Sequence, residues 1–197
     1  MKKDVLEILK KLLDSNDATV GGGAGSALAS AIAASTISMV AKLSMKKPVN
    51  FDENKYKAIS EDADKLSIEL QNGCIKDREA YCQIVEAFKL PKSNDVEITQ
   101  RKNAIQLAAV GAAEVPRDNG NLSVRVWKLG KMLLGNSNPA CLSDLLFAIY
   151  MAESAIKDCA LNIEANLSLI KDETIVLKFK VLHVFFGSIP LTVGIER

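Results

Sequence analysis

Three consecutive glycines, Gly21 to Gly23, constrain this 197-residue chain more than any other feature. Glycine has no Cβ, so the backbone can turn tightly there and approach a ligand or another chain closely. The apolar pattern that follows predicts a helix starting at the glycines, where backbone amides without partners point outward. By itself the run is only a weak phosphate-loop signal, because neither a Walker-type lysine nor a preceding strand accompanies it.

A helix of small residues is predicted from the glycines to about Met45. Small side chains recur every four positions in two adjacent stripes, which lets neighbouring helices pack closely. The stripes are Ser26, Ser30, Ala34 and Ser38, and beside them Ala27, Ala31 and Ser35. A membrane span of this length is conceivable, but serine, threonine and glycine lower its hydropathy, and leucine and phenylalanine are nearly absent. We therefore expect no membrane partner.

Further helical patterns fill most of the chain. Apolar spacing predicts helices at residues 4–14, about 53–88, 95–115, 124–134 and 139–170. An irregularity is expected at Asn72-Gly73, and Pro116 predicts a kink or a break. Strand-type composition, rich in β-branched and aromatic residues, appears only at residues 174–193. We predict a single all-α domain over residues 1–197, an up-and-down bundle whose second helix opens on the glycine-rich loop, with an atypical tail from about residue 174.

Charge and composition exclude several function classes. Lys and Arg total 25 against 24 Asp and Glu, so nucleic acid and anionic membranes are not expected as partners. The four cysteines have no CxxC spacing, and the N-terminus lacks the apolar core of a signal peptide, which together predict a cytoplasmic protein with free thiols. The single histidine, His183, leaves little material for a Ser-His-Asp triad or a multi-histidine metal site. Carboxylate, lysine, arginine, tyrosine or amide groups would have to transfer protons in any enzyme built from this chain.

Five motifs occur in an order that resembles a known family. The first is Val20 to Ala24 followed by an Ala-rich helix reaching Met39-Val40, and the second is Asp77 with Glu79-Ala80-Tyr81 and Phe88 to Lys92. The others are Arg101 with Gln106 and Val115-Pro116, then Gly135-Asn136 with Ser143-Asp144, then Asn162-Ile163 with Asn166-Leu167. Over about residues 12–173 these motifs resemble the cyclodeaminase domain of formiminotransferase-cyclodeaminase and the related methenyltetrahydrofolate cyclohydrolases.

The chain departs from that family pattern in two places. Val20 stands where the family has proline, and Ala24 stands where it has serine. The segment after Glu173 does not resemble the family's amphipathic last helix, so an altered or truncated C-terminus is expected. These departures motivate one alternative, an inactive helical scaffold or folate-binding protein.

The resemblance implies a folate one-carbon enzyme that works as a homodimer. We expect a hydrolase that converts 5,10-methenyltetrahydrofolate to 10-formyltetrahydrofolate, preferred because no formiminotransferase domain is attached. The alternative is a formiminotetrahydrofolate cyclodeaminase, a lyase that releases ammonia and gives 5,10-methenyltetrahydrofolate. Both reactions need a carboxylate to move a proton, so no metal and no cofactor beyond the tetrahydrofolate substrate is expected.

The catalytic candidates lie on the second motif. Asp77 matches the family's catalytic aspartate and is predicted to be the acid/base residue, with an ordinary exposed charge as the alternative. Tyr81 lies one turn further on the same face and is predicted to orient Asp77, with core packing as the alternative. Gly21, Gly22 and Gly23 are predicted to approach the substrate.

Substrate-binding candidates lie elsewhere along the chain. Lys92 and Arg101, and more weakly Lys89, are predicted to hold the anionic glutamate tail of folate, or else form a solvated face. Asp144 is predicted to bind the amide edge of the pterin, or to cap its helix.

Two amides complete the set. Asn162 and Asn166, four residues apart, are predicted to be buried and satisfied by the ligand or by another helix. Asp144 and Asn162 would be roughly 27 Å apart on one straight helix, so they cannot share one small site within a subunit. One of them is therefore expected at an interface, which also favours a homodimer.

Overall fold

Six α-helices make up most of the computed structural model, which describes residues 3–189. They are α1 (Lys3–Leu12), α2 (Gly22–Met45), α3 (Glu53–Lys89), α4 (Asp95–Leu133), α5 (Leu142–Leu167) and α6 (Glu173–Ser188), with a short 3-10 turn at Pro139–Cys141 before α5. No strand is present in that range. The predicted all-α class is confirmed.

Helices α2 to α5 form the central bundle. Helix α2 packs against α3 and α5, and α4 packs against α3 and α5, which closes a ring of four helices. The main core lies between them and is built from leucine, isoleucine and alanine side chains such as Ile37, Leu66, Leu70, Leu145 and Ile149. Helix α1 covers one end of α2 and α3, and α6 packs on α4 and α5.

Side chains that accept backbone amide hydrogen bonds start three of the helices. Asp52 caps α3, Asn94 caps α4, and Asp172 caps α6 by accepting from the amides of Thr174 and Ile175. Helix α2 differs, because Gly21 stands at its cap position and supplies no side-chain acceptor. Its first amides are therefore available to groups from other elements.

The small residues of α2 allow close packing at the centre of the bundle. Ala27, Ala31 and Ala34 of α2 are buried. Gly130 of α4 also permits a close approach, because an added Cβ there would lie 2.7 Å from Ile149 on α5. By length and composition, α2 and the segment Pro139–Leu167 are apolar enough to cross a membrane. Two-thirds of the most apolar part of α2 is nevertheless buried inside the bundle, as in core helices of soluble proteins.

The break that the sequence allowed at Pro116 is absent, because α4 runs through this residue. Helix α3 likewise continues through Asn72-Gly73, where an irregularity was expected. An interior proline removes one hydrogen bond and costs about 3 kcal/mol. The packing of α4 along α3 and α5 on both sides of Pro116, which is itself buried, offsets that cost.

The strand-like composition after residue 174 also misled the sequence interpretation. Residues 173–188 form α6, and Phe179 and Phe186 are buried against α4 and α5. The tertiary contacts of these two rings override a weak local preference. The remainder of the atypical segment, residues 190–197, lies outside the described residues.

Candidate functional site

The glycine turn before α2 brings an acidic side chain to a helix N-terminus. Gly21 is extended, with φ −126° and ψ −158°, and α2 begins at Gly22. The backbone amide of Ala24 donates a hydrogen bond to the carboxyl group of Asp77, which lies near the middle of α3. A helix N-terminus with free amides favours a carboxylate at this position.

Asp77 fits there only because Gly23 has no side chain. A Cβ added to Gly23 would lie within 3.0 Å of both carboxyl oxygens and the carboxyl carbon of Asp77, closer than real Cβ atoms approach other groups. Gly23 is itself buried, so a side chain at this position would displace the carboxyl group of Asp77. The glycine at this position is required for the contact between α2 and Asp77.

The environment of Asp77 suits it to proton transfer near neutral pH. Burial raises the pKa of Asp77 most, and the negative charge of Asp158 raises it further. The hydrogen bond from the Ala24 amide lowers this pKa, and the net result is a rise from the ordinary value of 3.8 to about 6. A carboxyl group with this pKa is present in both protonation states around pH 6 to 7. It can therefore accept a proton in one step and return it in the next.

A second carboxylate, that of Asp158 on α5, lies behind the same glycine turn. An added Cβ on Gly22 would be 3.3 Å from Oδ1 of Asp158. Oδ2 of Asp158 accepts a hydrogen bond of 2.7 Å from Nδ2 of Asn162. Consecutive glycines thus contact two different carboxylates, one from α3 and one from α5.

A cavity of about 210 Å³ opens in front of these groups. Its lining comes from the glycine turn and from α3, α4 and α5, and includes Thr19, Gly21, Gly22, Gly23, Asp77, Arg78, Tyr81, Ala112, Asn162 and Asn166. Larger surface grooves of about 560 and 680 Å³ lie along α3 with α4 and along α1 with α3. We take the smaller cavity as the candidate active site because it contains the carboxyl group with the raised pKa together with convergent polar groups.

The amide side chains of α5 are held by the bundle on one side of this cavity. Nδ2 of Asn162 donates to the backbone oxygen of Asp158 at 2.9 Å as well as to its carboxylate. Nδ2 of Asn166 donates to the backbone oxygens of Asn162 and Ala112, at 2.9 and 3.2 Å. Both amides are therefore fixed by the protein and do not depend on a ligand for their donors.

Seven of the predicted site residues come together in this cavity. They are Asp77, Tyr81, Asn162, Asn166 and the three glycines at positions 21 to 23. Tyr81 is 47% exposed, so core packing does not explain it. Its place beside Asp77 matches the spacing of one helical turn.

The predicted cations and Asp144 do not line this cavity. Lys89 pairs with Glu86 on the surface, and Lys92 is exposed in the loop after α3. The guanidinium of Arg101 donates to the backbone oxygen of Phe88 and lies over the Phe88 ring at 5.5 Å. Asp144 is exposed in the first turn of α5, on the same helix as Asn162, as the sequence predicts.

Sequence reasoning missed Asp158, Arg78 and Thr19. Arg78 lines the cavity, and its Nε is buried without a hydrogen-bond partner among residues 3–189. For Asp158 a signal was present, because Asp158, Asn162 and Asn166 recur every four residues on one face of α5. Nothing in the sequence indicates that this face meets the glycine turn.

Thiols and imidazole have no role in this site. Burial raises the pKa of Cys74 to about 11 and that of Cys159 to about 12, so both remain protonated. Nδ1 of His183 lies 3.0 Å from the backbone oxygen of Ala160, in the contact between α6 and α5. In the described part of the chain, no group of three or more His, Cys, Asp or Glu side chains comes together in a way that would hold a metal ion.

Comparison with known proteins relates this chain to named relatives. The chain is 29% identical over 164 residues to a methenyltetrahydrofolate cyclohydrolase of Methylorubrum extorquens, an alignment that covers 83% of this chain and 79% of that protein. It is 39% identical over 107 residues to the formimidoyltransferase-cyclodeaminase of Gallus gallus, which covers 53% of this chain and 18% of the relative. The corresponding protein of Mus musculus is 27% identical, over 84% of this chain and 30% of the relative. The chain thus spans less than a third of each of these two longer proteins.

A solved structure and a family model agree with these similarities. The crystal structure of a formiminotetrahydrofolate cyclodeaminase from Thermotoga maritima matches with a TM-score of 0.78 at 24% identity, over 92% of this chain and 87% of that one, and so has the same fold. The family model of formiminotransferase-cyclodeaminase matches residues 5–181, nearly the whole chain. The protein therefore belongs to the formiminotransferase-cyclodeaminase family.

Proposed function

We propose that this protein is a folate one-carbon enzyme that hydrolyses 5,10-methenyltetrahydrofolate to 10-formyltetrahydrofolate. The observation that carries the proposal is Asp77, a partly buried carboxyl group with a pKa of about 6 that lies against the glycine-capped start of α2. The relative from Methylorubrum extorquens, which aligns over most of both chains, is named for this activity. The reaction needs one group that first takes and then returns a proton, and we assign this role to Asp77.

In the first step, water adds to the electron-poor carbon between N5 and N10 of the substrate. The water oxygen forms a bond to that carbon as the ionised Asp77 accepts one proton. In the second step, the bond between the carbon and N5 breaks, and the protonated Asp77 delivers its proton to N5. The hydroxyl group on the carbon loses its proton to solvent as the formyl C=O bond forms. The formyl group remains on N10, and the net reaction consumes one water and releases one proton.

A cyclodeaminase activity is the second candidate, supported by the names of the avian and murine relatives. There N10 attacks the carbon of the protonated formimino group, and ionised Asp77 accepts the N10 proton. Asp77 then delivers that proton to the amino group, which leaves as ammonia when its bond to the carbon breaks. Both reactions pass through a tetrahedral carbon between the same two nitrogens, so one carboxyl group serves either. An inactive scaffold that retains the fold is the third possibility, distinguished by the absence of turnover.

The remaining roles extend this proposal. Tyr81 would orient the substrate or Asp77, and the glycine turn would allow close approach of the pterin. Lys92 and Arg101, with Lys89, stay candidates for the glutamate tail, which would extend beyond the small cavity along α3. No cofactor beyond the folate substrate takes part.

We also propose that the enzyme is a cytoplasmic homodimer with neither nucleic acid nor membrane as a partner. The outward face of α2 supports the dimer, because Ile32, Met39 and Leu43 are 44%, 41% and 37% exposed along it. Ile32 and Met39 border a shallow groove of about 400 Å³ floored by small residues of α2 and by Ser67 of α3. Light scattering after size-exclusion chromatography tests this, and Met39→Lys should shift a dimer towards monomer. A stable wild-type monomer would contradict it.

The activity is tested by the absorbance of methenyltetrahydrofolate at a pH where spontaneous hydrolysis is slow. Wild-type protein should accelerate the loss, and Asp77→Asn should lower the rate by about 10² or more. Glu79→Gln is the matched control, since Glu79 is an exposed carboxylate on the same helix outside the cavity. If the protein converts formiminotetrahydrofolate but not methenyltetrahydrofolate, the cyclodeaminase is favoured. If it converts neither substrate, the inactive scaffold is favoured.

A further inference from the structure

The hydrogen bonds of Asn162 leave only an acceptor for a ligand. Its Nδ2 group has two hydrogens, and Asp158 provides two acceptors for them, the backbone oxygen at 2.9 Å and the carboxylate Oδ2 at 2.7 Å. The charged acceptor makes this bond stronger than one between neutral groups, so the amide is held in one orientation. Within residues 3–189, Oδ1 of Asn162 has no donor.

The side-chain donors of Asn166, one turn further along α5, are likewise all used within the protein. Its Nδ2 donates to the backbone oxygens of Ala112 on α4 and of Asn162. Its Oδ1 is likewise without a donor in the described chain. Both side chains line the cavity that contains Asp77.

Two fixed amide oxygens on one helix face select a ligand by its donors. Side chains four residues apart on a helix lie about 5 to 6 Å apart, so one planar heterocycle can meet both. An edge with two neighbouring N–H groups would satisfy both oxygens. If the ligand had an acceptor at either place, that acceptor would face the amide oxygen of an asparagine. The partly buried amide oxygen would then have no donor.

We propose that Asn162 and Asn166 form a two-acceptor edge that recognises the 2-amino and N3–H groups of a pterin ring, with Asp158 as the positioning residue for Asn162. This inference rests on the proposed function, and it names the part of the substrate that enters the cavity. The volume of about 210 Å³ is below the range of about 300–1,000 Å³ that is usual for whole ligands, so one ring system enters and the rest of the folate lies outside. Within one subunit, Asp144 lies about 27 Å from Asn162 along α5. We therefore assign recognition of the pterin edge to these two amides instead of Asp144.

The proposed orientation is compatible with the chemistry assigned to Asp77. The donor edge of a pterin belongs to one ring of the bicycle, and N5 belongs to the other. A pterin held at α5 by its donor edge would therefore extend its N5-bearing ring into the cavity that Asp77 also lines. Recognition and proton transfer come from different helices that meet at the glycine turn.

The test is direct binding of three small probes, measured by their fluorescence at pH 7.5. The probes are 6-methylpterin, 6-methyllumazine, which has oxygen in place of the 2-amino group, and 2,4-diamino-6-methylpteridine, which has an acceptor at N3. Wild-type protein should bind 6-methylpterin at least about tenfold more tightly than either analogue, the difference expected for one unpaired buried group. Equal affinities for the three probes, or no binding of 6-methylpterin at millimolar concentration, would overturn the proposal.

Variants assign the discrimination to the amides. Asn162→Ala and Asn166→Ala should each reduce the preference for 6-methylpterin to about threefold or less, whereas Asn103→Ala, an exposed asparagine on α4, should keep it. Asp158→Asn should weaken the preference for 6-methylpterin although the Asn162 side chain is still present, as expected if Asp158 orients that amide. Circular dichroism confirms that each variant is folded, and retained discrimination in folded Asn162→Ala and Asn166→Ala would refute the assignment.

Binding and turnover fail independently in this design. A protein that discriminates the probes but converts neither folate substrate would retain the recognition edge and lose the proposed enzymatic activity. A protein that hydrolyses methenyltetrahydrofolate without discriminating the probes would keep the activity and exclude the recognition edge.

Discussion

Replacing the proposed catalytic carboxyl group should stabilise the protein. Asp77→Asn removes a group that is costly to ionise in the folded state, because burial and the charge of Asp158 raise its pKa from 3.8 to about 6. Asparagine keeps the shape of the side chain and an oxygen that accepts from the Ala24 amide. The variant that loses activity is therefore expected to gain stability, a trade-off typical of functional sites.

The magnitude and its pH dependence follow from the two pKa values. Between about pH 4 and pH 6 the folded protein binds more protons at Asp77 than the unfolded chain does, so this group lowers the free energy of unfolding as pH rises. Below about pH 4 the carboxyl group is protonated in both states and has no effect. Above about pH 6 the loss is complete and amounts to about 3 kcal/mol, at 1.36 kcal/mol per pKa unit.

The assay is urea unfolding of wild type and Asp77→Asn, followed by circular dichroism at equal protein concentration. The two proteins should have similar stability at pH 4, and the variant should be more stable by about 3 kcal/mol at pH 7.5. For a chain of this length that is roughly 6 to 12 °C in Tm. Asp17, whose pKa is lowered chiefly by its hydrogen bond from Lys11, changes stability in the opposite direction in both proteins and cancels in the difference.

The control is Glu79→Gln, which removes an exposed carboxylate on the same helix and should show no such pH-dependent difference. If Asp77→Asn were equal to wild type or less stable at pH 7.5, Asp77 would not have a raised pKa, and the reasoning about its protonation would be refuted.

Two further changes test the geometry of the site. Asp158→Asn removes the neighbouring negative charge, so the pKa of Asp77 should fall and the acid limb of the pH–rate profile should move to lower pH; an unchanged limb would show that the two carboxylates are not coupled. Gly23→Ala places a Cβ against the carboxyl group of Asp77, and the displaced carboxyl group should reduce kcat by about 10² or more. The control is Gly111→Ala on α4, whose added Cβ has no atom within 4 Å and which should leave kcat within about twofold. Full activity in Gly23→Ala would contradict the contact between the glycine turn and Asp77.

The motifs predicted part of the site and left part of it open. Asp77, Tyr81 and the glycines were identified from their resemblance to a family pattern, and the structure places them in one cavity. Asp158 was missed because it lies 81 residues from Asp77 in the chain, and only the packing of α5 against α2 brings it behind the glycine turn. The predicted cations Lys89, Lys92 and Arg101 fit a folate tail by charge alone, and charge carries no information about position.

Local sequence determined where several helices start and which class of fold results. Caps such as Asn94, apolar spacing and the small residues of α2 act through neighbours a few positions apart, so they are readable without a structure. Only tertiary structure decided three features: α4 continues through Pro116, residues 173–188 are helical, and Asp158 lies close enough to Asp77 to raise its pKa. Each depends on long-range packing whose free energy outweighs a local preference of at most a few kcal/mol.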